Sequence, residues 1–181
     1  VDIVHEEECR QVVRRCDRQF GRLDGLVNAA GITDRGGLED TSVALWDLLF
    51  AVNVRAPFIL MQEAVRVMKR EGRGGSVVNI VSRSSHGGQP YLTGYSAAKG
   101  ALATLTRNAA HALRSARIRV NGINLGWTYT DHEQTVQEAM GRPKDWLQTA
   151  DAQQPLGRLL RPQDVAYLAA ERCLQAAGVA P

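Results

Sequence analysis

Ser76-Val77-Val78-Asn79-Ile80-Val81-Ser82 decides how the rest of this 181-residue chain is read. The run is rich in β-branched residues, follows the turn Gly72-Arg73-Gly74-Gly75 and ends in a polar loop, so it reads as a buried strand. Downstream, Gly94-Tyr95-Ser96-Ala97-Ala98-Lys99-Gly100 opens an alanine- and leucine-rich helix over about 94–114. Upstream, Cys9, Val12, Val13, Cys16 and Phe20 recur at helical spacing over 5–20, and Gly21 ends that pattern. Leu26-Val27-Asn28-Ala29 then reads as a short buried strand closed by Gly31. Ser42 is placed to cap a helix whose stripe is Leu45, Leu48, Leu49 and Val52. Pro57 interrupts it, and the stripe resumes with Leu60, Met61, Val65 and Met68. Past the long helix, 118–124 is a further strand followed by Gly126. A polar stretch with short helices around 134–140 and 145–152 comes next, then a last helix after Pro162.

Strands alternating with helices imply parallel pairing through crossovers, hence an α/β fold with a doubly wound parallel sheet in one domain over 1–181. In such sheets ligands bind beyond the carboxyl ends of the strands. Asn28 to Gly31, Ser82, and Asn124 to Gly126 all fall at those ends.

Composition narrows the function. Hydrophobic residues make up 44% and charged residues 23%, ordinary for a globular protein. The net charge of +3 comes from arginines spread along helix faces, among them Arg10, Arg14, Arg66, Arg70, Arg107 and Arg114. A nucleic-acid surface gathers such charge with aromatic residues between, so no nucleic-acid partner is expected. Cys9, Cys16 and Cys173 have no metal-ligand spacing and no even framework, which fits a reducing cytoplasm and predicts no metal site. No apolar run reads as the ~18 residues that span a bilayer, and no membrane partner is expected.

The chemistry concentrates on the helix after Ser82. Tyr95 and Lys99, four apart, share a helix face, so phenol and ammonium reach one cleft. An ammonium close by favours the phenolate and lowers a phenol pKa that starts near ~10. Ser82 at the strand end is placed to hold a carbonyl or alcohol beside that phenol. Ser84 and Ser85 lie beyond the strand end and read as loop serines. His86, Tyr91 and Tyr129 are possible substrate contacts.

These residues, with Asn53 in the preceding helix and Asn28-Ala29-Ala30-Gly31, resemble the motifs of the short-chain dehydrogenase/reductase family. The resemblance runs over essentially the whole chain, through Gly157-Arg158-Leu159-Leu160-Arg161-Pro162-Gln163-Asp164-Val165-Ala166. It implies a Rossmann-like fold and an oxidoreductase using NAD or NADP to interconvert a secondary alcohol and a ketone. It implies that Tyr95 is the acid and base, that Lys99 lowers the Tyr95 pKa and holds the nicotinamide ribose, and that Ser82 orients the substrate oxygen. It also implies that Asn53, at the kink of its helix, positions a water linking Lys99 to solvent. The cofactor is expected to meet Asp2, Asn28, Ala29, Ala30, Gly31, Tyr95, Lys99, Gly126, Thr128 and Thr130. Leu125 stands where the family has proline before the glycine, which loosens that loop and reshapes the pocket.

The substrate pocket is expected within 84–92 and 128–146, with Trp127, Tyr129 and Trp146. Its polarity suggests a polyol or sugar-like alcohol. The helices 58–69 and 101–113 resemble the pair through which family members assemble, so a homotetramer or dimer is expected of the full-length protein.

The same resemblance places Val1-Asp2-Ile3 at the end of a third strand, with Asp2 beside the adenine ring. The Gly-rich phosphate turn that opens the family's Rossmann fold, and its final strand, have no counterpart, so the chain reads as a fragment incomplete at both ends. A silent remnant acting as a binding or oligomerisation module is the alternative reading. A related epimerase or dehydratase also uses Tyr-x-x-x-Lys, but the Asn28–Gly31 segment and the Ser82-to-Tyr95 spacing argue against it.

Overall fold

A computed structural model describes residues 1–174. Its centre is β2 (Gly75–Ser82), every residue of which is buried. β1 (Gly25–Asn28) and β3 (Ile118–Leu125) flank it, both parallel, in the order β1-β2-β3. The register runs from Gly25 opposite Ser76 to Asn28 opposite Asn79, and from Gly75 opposite Ile118 to Ser82 opposite Leu125. The polar ends Asn28, Ser82 and Leu125–Gly126 therefore come to one edge of the sheet.

Strand residues alternate between faces, and the two faces of β2 are covered differently. Val77 packs with Val120 and Ile118 under Met61, Ala64 and Met68 of α3 (Ala56–Glu71) and Leu105 and Ala109 of α4 (Thr93–Ala112). Val78 and Ile80 pack on the other side with Ile123 under Val165 and Ala169 of α7 (Pro162–Leu174). α1 (Glu6–Phe20) adds an outer layer by setting Cys9 against Ala56 and Ile59. This is the doubly wound α/β arrangement that the strand and helix pattern predicts.

Three local expectations change. Val1-Asp2-Ile3 forms no strand. The Asp2 carbonyl accepts from the His5 amide, and its carboxylate accepts from the Val4 amide, a local turn that uses the groups a sheet ladder needs. Pro57 does not break its helix. α2 (Val43–Phe50), capped by the Ser42 hydroxyl, passes through a π-helical stretch at Ala51–Arg55 directly into α3. The wider turn brings the Ala56 amide to the Ala51 carbonyl and seats Pro57, which has no N–H to lose, in the first turn of α3. The joined helix Val43–Glu71 runs 29 residues and contains an apolar window of membrane-spanning length with mean hydropathy 1.6. The broken reading at Pro57 hid that run. Leu49, Val52, Asn53, Ala56 and Ile59 along it are buried within the fold. The expectation about a strand beyond the last helix lies outside the described residues.

Beyond β3 the chain builds a small cover. α5 (Asp131–Ala139) and α6 (Trp146–Ala152) enclose Trp146, Ala150 and Leu159 with Tyr129 and Leu147. Its base is tied to the sheet edge by the Tyr129 amide on the Leu160 carbonyl, 2.9 Å, and the Leu160 amide on the Trp127 carbonyl, 3.0 Å.

Candidate active site

The C-terminal edge of the sheet, the start of α4 and the cover enclose a cleft of about 690 Å³. Ser82 reaches it because β2 ends there, and its Oγ accepts from the Ser84 amide at 3.1 Å, which fixes the turn away from the strand. Ser84 Oγ lies 3.3 Å from Gln89 Oε1, and Ser85 Oγ donates to the Ser82 carbonyl at 2.7 Å. Ser85 is thus bound to the backbone, and Ser82 is the hydroxyl whose presence beside Tyr95 favours the phenolate.

Tyr95 lies in the first turn of α4 and Lys99 one turn further. Gly94 lets this helix start close to α2: a Cβ there falls 2.8 Å from Leu49 Cδ1. Lys99 is 4% exposed, its Nζ donates to the Ile80 carbonyl at 2.8 Å, and it stands 5.7 Å from the centre of the Tyr95 ring. Burial lowers the Lys99 pKa to about 8. Burial also raises the Tyr95 phenol, with the Ser82 hydrogen bond pulling it down and the Glu133 charge pushing it up. The expected lowering of Tyr95 is therefore corrected for the protein by itself. Dehydration of the phenol outweighs its favourable contacts, and the ammonium is directed at a strand carbonyl.

Asn53 is fully buried at the π-helical turn. Its amide donates to the Ile32 and Leu49 carbonyls, each at 3.0 Å, and its Oδ1 has no partner. Gly31 lies against it: an added Cβ meets Asn53 Oδ1 at 2.9 Å and Lys99 Nζ at 3.5 Å. Asn53, Gly31, Ser82, Tyr95 and Lys99, separated by up to 68 positions in sequence, thus share one cleft.

The other expected contacts divide. Ala29, Gly126, Thr128 and Thr130 line the cleft. The Thr130 hydroxyl accepts from the Glu133 amide as the cap of α5, and Thr128 Oγ1 donates to the Gly126 carbonyl at 3.2 Å. Ala30 is exposed and outside the lining. The Asn28 amide turns inward and donates to Asn79 Oδ1 at 2.7 Å. Asn79 in turn donates to Thr106 Oγ1 at 2.9 Å, a buried chain between strands and α4. Asp2 stays at the exposed start of α1, away from the cleft. Tyr91 and Trp127 line the pocket, whereas Tyr129 and Trp146 form the core of the cover, and His86 stands outside.

Glu133, Gln137 and Arg35 line the cleft without having been singled out in the sequence. Thr130-x-x-Glu133 has the spacing of a capping box, and that signal disguises it. The Glu133 carboxylate turns instead to Trp127 Nε1 at 2.8 Å. Arg35 had no periodic signal in the loop after β1.

Residues 1–178 match a family model described as enoyl-(acyl carrier protein) reductase. An uncharacterized oxidoreductase of Thermotoga maritima is 37% identical over 161 residues, 89% of this chain and 64% of the relative. A crystal structure provisionally described as a short-chain alcohol dehydrogenase from Sinorhizobium meliloti 1021 superposes with a TM-score of 0.85. It is 32% identical, with 97% of this chain and 68% of the other covered. ElxO with NADP bound superposes with a TM-score of 0.84 at 27% identity, covering 96% and 68% of the two chains. The chain spans between about half and two thirds of the length of the curated relatives it matches.

Proposed function

Because the chain belongs to the short-chain dehydrogenase/reductase family of oxidoreductases, we propose that it carries the acid–base half of an enzyme that interconverts a secondary alcohol and a ketone with NAD or NADP. One observation carries the reading. The Ser82 hydroxyl, the Tyr95 phenol it acts on and the buried Lys99 ammonium one turn away open into a single cleft at the carboxyl ends of the strands.

In the reductive direction Ser82 holds the carbonyl oxygen, and the Tyr95 hydroxyl gives its proton to that oxygen. In the oxidative direction the phenolate takes the alcohol proton. Such transfer by a positioned group contributes about 10²–10⁴-fold. Lys99 serves the reaction through its free ammonium donors, since in the protein by itself burial raises the Tyr95 phenol. Asn53, with its Oδ1 free, is suited to hold a water between Lys99 and solvent.

The residues fit the nicotinamide end of a dinucleotide. The Lys99 ammonium has three donors and uses one on Ile80, so two remain for ribose hydroxyls. Gly31 leaves open the space beside Asn53 and Lys99 that a Cβ fills, and Thr128 and Thr130 face the same volume. A bound nicotinamide supplies or accepts the hydride at the substrate carbon. Asp2 does not contribute to this end.

Association through α3 and α4 into a dimer or tetramer is part of the same proposal. Phe58 is 43% exposed there beside Val54 and Leu105, around a hollow of about 550 Å³. The three free cysteines suit a reducing compartment such as the cytoplasm.

The test is Tyr95→Phe in the whole protein. Turnover is expected to fall by about 10²–10⁴-fold while the nucleotide dissociation constant stays within about threefold. Equal turnover in the two proteins removes Tyr95 from the reaction.

A further inference from the structure

Part of the cleft wall is built by α5 rather than by the sheet, and it holds Glu133, the one carboxylate lining the cleft among the described residues. Glu133 is 8% exposed, and burying a charge is costly unless its hydrogen-bonding capacity is used. Three donors converge on it: Gln137 Nε2 at 2.6 Å, Trp127 Nε1 at 2.8 Å and Arg35 at 3.2 Å. All three fall on Oε1. A carboxylate offers about four lone-pair sites, and the three side-chain donors leave Oε2 to the cleft.

Its neighbours are also incompletely used. Gln137, 3% exposed, gives its N–H to Glu133 and leaves its Oε1 without a partner. Arg35 sets one guanidinium nitrogen on Glu133, lies over the Tyr91 ring at 5.3 Å and leaves Nε unpartnered. The wall therefore offers acceptors and donors side by side, within electrostatic reach of Tyr95.

A hydroxyl matches this set, because it donates to a carboxylate and accepts from a guanidinium. An apolar chain leaves every one of these groups unpaired, and an anionic group meets the Glu133 charge. We propose that Glu133, with Arg35 and Gln137, forms a second polar subsite that takes a free hydroxyl of the substrate, distinct from the oxygen at Ser82 and Tyr95. The substrate class is then a neutral diol or polyol, or the matching hydroxyketone. The inference rests on the alcohol–ketone reading above and names the substrate class for it.

The experiment compares cis-cyclohexane-1,2-diol with cyclohexanol, the same ring with and without the second hydroxyl, in the whole protein with its nucleotide. The expected kcat/KM for the diol exceeds that for cyclohexanol by about tenfold or more, the scale of one charge-assisted hydrogen bond. Glu133→Gln keeps size and shape but removes the charge, and the ratio of the two kcat/KM values is expected to fall by about tenfold. A purely structural Glu133 lowers both values together and leaves the ratio unmoved, which overturns the proposal. Should Glu133→Gln lose α5, Gln137→Met removes the free acceptor together with one of the three donors to Glu133, and a fall of about threefold in the ratio is expected.

Cyclohexanol oxidised as well as the diol by the unaltered protein also overturns the proposal and leaves the Tyr95 chemistry standing. If neither ring is oxidised, a tryptophan-fluorescence titration decides. Saturable binding of the diol, weakened in Glu133→Gln and absent for cyclohexanol, supports the subsite and removes the oxidoreductase reading. Binding of neither overturns both.

Discussion

Lys99→Met offers a measurement of what the site costs the fold. Methionine has nearly the length of lysine and no charge, so the substitution removes the ammonium while largely filling the same buried space. An ordinary lysine titrates near 10.5, and Lys99 titrates at about 8 because burial disfavours its charge. The difference is worth about 3 kcal/mol at neutral pH, at about 1.4 kcal/mol per pH unit. The sign follows from the proton count. Between about pH 8 and 10.5 the unfolded chain keeps the lysine proton and the folded protein has lost it. Stability therefore rises with pH across that window, and below it the full cost applies. Lys99→Met is expected to exceed the unaltered protein by up to about 3 kcal/mol at pH 7, less about 1 kcal/mol for the lost hydrogen bond to the Ile80 carbonyl. That advantage should shrink by about 3 kcal/mol as pH approaches 10.5. Urea unfolding at pH 7, 8.5 and 10.5, read as the difference between the two proteins, cancels every other titration. A difference that stays flat with pH refutes the claim that Lys99 is held dehydrated at the cost of stability.

Two further outcomes follow from the same site. Asn79→Ala leaves the buried Asn28 amide without its acceptor and removes the bond to Thr106, at a cost of about 3 kcal/mol. The thermal midpoint is expected to fall by about 6–12 °C in a circular-dichroism melt, and a shift under about 1 °C contradicts the buried-chain account. Gly31→Ala puts a methyl 2.9 Å from Asn53 Oδ1, whose amide is pinned by two carbonyls and cannot yield freely. A loss of about 1–3 kcal/mol is expected in the same melt, with weaker nucleotide binding by titration; unchanged binding contradicts the placement of Gly31 at the nicotinamide end.

How much of this was legible depended on whether the signal was local. Ser76–Ser82 could be read because a strand buried on both faces needs nothing but apolar, β-branched residues. Tyr95 and Lys99 were legible because a helix fixes which positions share a face. The electrostatics were not. The pull of an ammonium on a phenol is visible in sequence, but dehydration of both groups depends on the burial that the folded chain imposes. Glu133 was hidden by a spacing that has a sufficient local explanation as a helix cap. Asn28 went the other way: its place at a strand end suggested a ligand, and only the pairing of Asn28 with Asn79 across strands reveals its buried partner.

The π-helical turn at Ala51–Arg55 resets the angular phase of a long helix. One residue more than the α-helical repeat advances the downstream face by about 100°. The apolar sector of α2 and that of α3 can then both look inward, although they do not lie on one continuous line. Winding the same residues 51–55 as regular α-helix would, by the same arithmetic, swing Met61, Ala64 and Met68 off the sheet. Deleting one residue there removes the extra residue with the wide turn and leaves all sixteen residues of α3 on the same bearing.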